Sequence, residues 1–140
     1  MRIGVMAAAV LVVLAGCAGQ RSAPGGEVAL PEQGIVVRAL RLSAHGYILD
    51  LRYRVTDAEK AARLLDAHNK VELLDLTHGA KLGVAESPVI GAMRQTARNR
   101  TVYTDRDYFV LFANPGRAVR AGDSVRLAVN GLAVAPLTVN

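Results

Sequence analysis

The sequence predicts a mostly β fold: a small immunoglobulin-like β-sandwich with one short helix, after a cleaved signal peptide. Three observations predict it. Apolar and polar residues alternate over 47–55 and 124–130, the period of two that marks a half-buried strand. About seven short runs of strand type are separated by turns rich in Gly, Pro, Asn and Asp, the spacing of a two-sheet sandwich. Only one stretch, from Thr56 to about Ala67, has a helical period instead.

The clearest strand is 47–55. Tyr47, Leu49, Leu51, Tyr53 and Val55 share one face, and Ile48, Asp50, Arg52 and Arg54 share the other. In 124–130, Val125, Leu127 and Val129 point inward while Ser124, Arg126 and Asn130 point outward. Residues 107–113 are apolar on both faces, with Tyr108, Val110 and Phe112 opposite Phe109, Leu111 and Ala113. That pattern predicts a central strand. Residues 35–42 and 132–139 alternate more weakly. Pro136 assigns the last of these to a sheet edge, because proline cannot donate to a ladder.

The helix has Thr56 and Glu59 in capping-box spacing. Ala58, Ala61, Leu64 and Leu65 follow on one face, and Asn69 lies where the helix can end. Residues 70–76 and 80–85 read as a hairpin around Thr77-His78-Gly79, where Gly79 supplies positive φ. Asn114-Pro115-Gly116 and Ala121-Gly122-Asp123 are further turns. The chain has no Trp, so the usual central residue of the immunoglobulin core has to be replaced.

Before the folded part, Arg2 precedes an uncharged apolar run from Ile3 to Leu14, followed by Ala15, Gly16 and Cys17. A basic start, a short apolar stretch and small residues at a cut make a secretory signal. The run is shorter than the roughly 20 residues of a spanning helix. Leu14-Ala15-Gly16-Cys17 resembles the lipobox of bacterial lipoprotein precursors. The resemblance implies diacylglyceryl attachment at the Cys17 sulfur, cleavage after Gly16 and acylation of the new amino terminus. Each buried methylene contributes about 0.8 kcal/mol, so two or three acyl chains anchor durably. Ala18 stands where Asp would imply retention at an inner membrane, so the resemblance implies an outer-membrane anchor facing the periplasm. The chain then divides into a signal peptide at 1–16, a lipidated flexible tether at 17–33 and a sandwich domain at 34–140. Pro24-Gly25-Gly26 and Pro31 break the tether.

Composition narrows the classes further. The 140 residues are 51% hydrophobic and 21% charged, with a net charge of +5; residues 17–140 suit one domain with a core of its own. Cys17 is the only cysteine, so no intramolecular disulfide forms, and lipidation accounts for the thiol. The positive balance suits anionic envelope surfaces. It rests on Arg, with Lys only at positions 60, 70 and 81, a bias that genome composition alone can produce. An envelope location excludes nucleic acid as a partner. The segments from Asp57 to Ala61 and from Asp107 to Gly116 resemble parts of secreted bacterial proteins of uncharacterised activity and imply no functional residue.

The candidate site residues are Cys17 for lipidation and Arg94, Arg98, Arg100 and Arg106 for an anionic partner. These four guanidinium groups fall within thirteen residues, beside Gln95, Asn99 and Tyr103. Arginines near an aromatic grip carboxylates or phosphates; a solvated loop or a charged edge strand produces the same spacing. No catalytic, metal or cofactor assignment follows from the rest. His45, His68 and His78 form no ligand pair. Asp105 and Asp107 read as charges at a strand start, and the serines lack a nucleophile-elbow context. The expected function is a non-enzymatic, membrane-anchored envelope lipoprotein that binds an envelope protein or anionic component, or supports an assembly. The alternatives are a carrier or sensor of a small anionic or lipidic ligand and, third, a hydrolase or metal enzyme that clusters its histidines with carboxylates.

Overall fold

The structure, a computed structural model, describes residues 26–140. The signal peptide, the lipobox and Cys17 lie outside the described residues. Ten strands and one helix follow in order: β1 (Val28–Leu30), β2 (Ile35–Ser43), β3 (Ile48–Val55), α1 (Ala58–Leu65), β4 (Val71–Asp75), β5 (Lys81–Gly83), β6 (Glu86–Ser87), β7 (Gly91–Ala92), β8 (Asp107–Ala113), β9 (Ser124–Val129) and β10 (Leu132–Thr138). Two four-stranded sheets, ordered β1-β2-β3-β8 and β10-β9-β4-β5, enclose one core, and β6 and β7 form a small separate ribbon.

The connections follow the immunoglobulin path. Residues 84–95 run beside β8: the Ala85 amide donates to the Leu111 carbonyl, the Leu111 amide to Met93 and the Gln95 amide to Phe109. This segment flanks β8 on the side away from β3 and throws out the β6–β7 ribbon. Counted with it, β2, β3, β8 and 84–95 stand in the order A-B-E-D, and β10, β9, β4 and β5 in the order G-F-C-C′. Helix α1 occupies the crossing between the second and third strands of that scheme.

The alternation read from β3 holds. Leu49, Leu51, Tyr53 and Val55 are buried, whereas Tyr47 precedes the strand and is 54% exposed. Strand β8 is central as expected, with β3 on one side and 84–95 on the other. Its inner face of Tyr108, Val110 and Phe112 is buried, and its outer face is only partly covered. Arg52 stands 5.2 Å above the Phe109 ring there. In place of a tryptophan, the core holds Tyr53 stacked on Tyr108, with ring centroids 5.7 Å apart. Strand β10 lies at an edge, with a register irregularity between Ala133 and Pro136. Asn130-Gly131, both at positive φ, joins it to β9, an Asn-Gly hairpin signal present in the sequence.

Two expectations are corrected. The tether does not extend to residue 33: Val28, Ala29 and Leu30 pair with Val37, Val36 and Ile35, and Leu30 is buried. Pro31 to Gly34 form a tight turn and not a linker, with the Gln33 amide donating to the Leu30 carbonyl. The helix is capped by Asp57, whose carboxylate accepts from the Glu59 and Lys60 amides; Thr56 does not cap it. The physical reason is Gly34. Its carbonyl accepts from the Thr56 and Asp57 amides at 2.8 and 3.0 Å, which sets the chain one residue later than the capping-box reading. Helix α1 then stops at Leu65, before Ala67.

At the far end, Asn140 pairs with β2 instead of its own sheet. The Leu42 amide donates to the Asn140 carbonyl, and the Asn140 amide to Leu40.

Candidate functional site

The loop from Thr96 to Arg106 leaves the 84–95 segment and returns to β8. It is tied down at both ends. The Gln95 side chain accepts from the Phe109 amide at 3.0 Å, and the Tyr108 hydroxyl accepts from the Tyr103 amide at 2.9 Å. Between them, Arg98 to Thr101 make a turn closed by the Thr101 amide on the Arg98 carbonyl, with Asn99 and Arg100 at φ of 55° and 60°. Residues other than glycine rarely adopt that region.

Arg94 is half-buried and held against the end of α1. Its guanidinium donates to the carbonyls of Leu64, Asp66, Ala67 and Asn69 at 2.8–3.1 Å. It therefore satisfies carbonyls that the end of α1 leaves free. Burial pulls its pKa below the ordinary guanidinium value, against the attraction of Tyr53 and Asp66. All four acceptors are neutral carbonyls, and the Asp66 carboxylate nearby offsets part of the charge.

Arg98 and Arg106 sit at a concavity of about 530 Å³ that Arg94 also lines. Arg98 is exposed and makes no side-chain bond among the described residues. Arg106 donates through Nε to Asp105 at 3.0 Å, and its guanidinium carbon lies 3.9 Å from the centre of the Tyr103 ring. The Asp105 bond raises the Arg106 pKa and lowers that of Asp105. Thr96, Asn99 and Thr101 complete a polar lining. Arg100 turns to the opposite side of the loop, into a hollow of about 580 Å³ with Asp66, His68, Ala97 and Val102. The four arginines thus take three situations: one structural, two at a shared concavity and one across the loop. No protein family, no curated protein and no solved structure matches this chain.

The histidines are dispersed. His45 lies in an exposed turn, and His68 meets Asp66 at 3.1 Å with its side chain almost fully exposed. His78 faces the buried Asp75 at 3.0 Å. Burial pushes the Asp75 carboxyl up, but bonds from the Thr77 and His78 amides and the His78 ring outweigh it, and the pKa ends below the ordinary value. Among the described residues, no group of three His, Cys, Asp or Glu side chains is placed to hold a metal ion. Sequence reasoning missed Arg94's contacts because its acceptors are backbone atoms 25–30 residues away. It also missed the buried Asn114, which donates to the Gly46 and Val119 carbonyls and fixes the opposite end of the sandwich.

Proposed function

We propose that this chain is a non-enzymatic envelope lipoprotein, anchored by acyl chains on Cys17, whose β-sandwich binds an anionic envelope partner through Arg98 and Arg106. The observation that carries the reading is the Leu14-Ala15-Gly16-Cys17 motif behind its short apolar run. A lone thiol at that place is a lipid acceptor. The motif commits the chain to a membrane surface facing the periplasm, most simply that of the outer membrane given Ala18. The concavity supports the binding role, because it gathers the guanidinium groups of Arg98 and Arg106, the latter bonded to Asp105 through Nε alone, at a loop braced by β8. A second reading, a carrier of a small anionic ligand, draws on the same concavity; its lipidic form finds no support in a core filled by Leu51, Tyr53, Leu73 and Phe112.

Cells expressing the full chain and fed an alkyne fatty acid test the anchor. The wild type takes up label and fractionates with membranes, whereas Cys17→Ser takes up none and leaves the membrane fraction. Labelling of the Cys17→Ser chain would refute the proposal.

A further inference from the structure

We infer that the concavity beside Arg98 and Arg106 holds a short anionic saccharide; the inference rests on the proposed binding surface and names its ligand class. The lining chemistry points there. Thr96, Asn99 and Thr101 offer hydroxyl and amide groups that both donate and accept, matching the dual character of sugar hydroxyls. Among the described residues no aliphatic side chain lines the concavity, and its apolar surface is limited to the rings of Tyr103 and Tyr108 and side-chain stems, a poor bed for an acyl chain. Val89 and Ile90, strongly exposed apolar residues, sit instead between β6 and β7, outside it.

The charge requires an anion on that sugar. Arg94 bonds only to neutral carbonyls with the Asp66 carboxylate nearby, Arg98 has no carboxylate partner among the described residues, and Arg106 bonds to Asp105. Three guanidinium groups against the two carboxylates of Asp66 and Asp105 leave a net positive field. The terminal nitrogens of Arg106 make no bond among the described residues and present a fork suited to a carboxylate or phosphate. Tyr103 adds a ring that is 46% exposed, with Arg106 over one face. An aromatic surface that is apolar in the middle and wet at the rim suits the C–H face of a pyranose. The Arg98–Thr101 turn and the Tyr103–Tyr108 bond hold these groups in place before any ligand arrives, which reduces the ordering that binding must impose.

The test uses the full chain in a neutral detergent at low ionic strength, titrated calorimetrically with trigalacturonate and with maltotriose, a neutral chain of the same length. Trigalacturonate is expected to bind at least about tenfold more tightly than maltotriose, and added salt is expected to weaken it. Arg98→Gln, Arg106→Gln and Tyr103→Ala should each weaken binding by about tenfold or more, while Arg126→Gln, an exposed arginine on β9, should leave it unchanged. Thermal melts that match the wild type confirm that the variants fold. Equal affinity for the two trisaccharides, or equal loss with Arg126→Gln, overturns the inference. Arg98-dependent binding to phosphatidylglycerol vesicles without binding to trigalacturonate overturns the saccharide assignment and leaves the proposed binding surface standing. Binding to neither overturns both, and the fatty-acid labelling of Cys17 is read independently.

Discussion

Tyr53 stacks on Tyr108 across β3 and β8, with their rings 17° from parallel, yet the two hydroxyls meet different fates. That of Tyr108 accepts the Tyr103 amide. That of Tyr53 is buried without a partner among the described residues, and burial pushes its pKa up, with the Tyr108 charge adding to the effect.

A buried hydroxyl with no partner lowers stability without returning a bond. Tyr53→Phe keeps the stacked ring and removes the oxygen. It is expected to stabilise the fold by about 1 kcal/mol, seen as a higher denaturation midpoint at unchanged slope. A loss of similar size would show that the oxygen has a partner after all.

Gly34 lies at a φ of +64°, and a Cβ there would stand 2.5 Å from the Asp57 carbonyl oxygen. Gly34→Ala therefore strains the backbone and pushes the start of α1 away from β2. A destabilisation of about 2–4 kcal/mol is expected, measured by urea unfolding. A change within error of zero would mean that the hairpin and helix separate freely.

Arg94→Lys retains the charge but replaces a planar fork by a single ammonium, which cannot span four carbonyls. The expected loss is about 1–2 kcal/mol, with faster hydrogen exchange at the amides from Asn69 to Val71. Wild-type exchange there would remove Arg94 from the helix end.

Asp75 sets an acid limit. Its folded pKa lies below the ordinary value, so its contribution is full above the unfolded pKa, near about 4. The contribution disappears as pH falls through the folded value. Stability should decline below about pH 4 in the wild type. Asp75→Asn should be less stable at neutral pH and show a shallower acid limb. An unchanged acid slope in the variant would place the titrating group elsewhere.

How far the sequence reveals this molecule depends on where each interaction partner lies. Strands β3 and β9 are legible because their alternation runs unbroken, and β8 because it is a short continuous apolar run. Strand β2 is faint because its register shifts between Val37 and Ala39, so Ile35 and Val37 are followed inward by Leu40 and the period of two skips a step. Strand β1 is hidden because three residues between breakers look like linker until β2 pairs with them. The choice of Asp57 over Thr56 as cap depends on a carbonyl more than twenty residues earlier. The arginine cluster is visible as composition. Its division is not, because positive φ at Asn99 and Arg100 separates neighbours in sequence onto two sides of one loop, and Arg94 is claimed by backbone atoms that carry no residue identity.

The return of Asn140 to β2 bears on how this protein behaves in a crowd. An unpaired strand edge invites another chain to continue the sheet. Val28–Leu30 cover the first half of β2, and Asn140 covers Leu40 and Leu42. On the opposite border, residues 84–95 cover β8. In the second sheet, β10 carries Pro136 and a register break, and β5 is three residues long with Lys81 on it. Copies held on one surface by the anchor proposed at Cys17 would meet at high local density, and each would offer its neighbours few free ladders among the described residues on which to nucleate an aggregate.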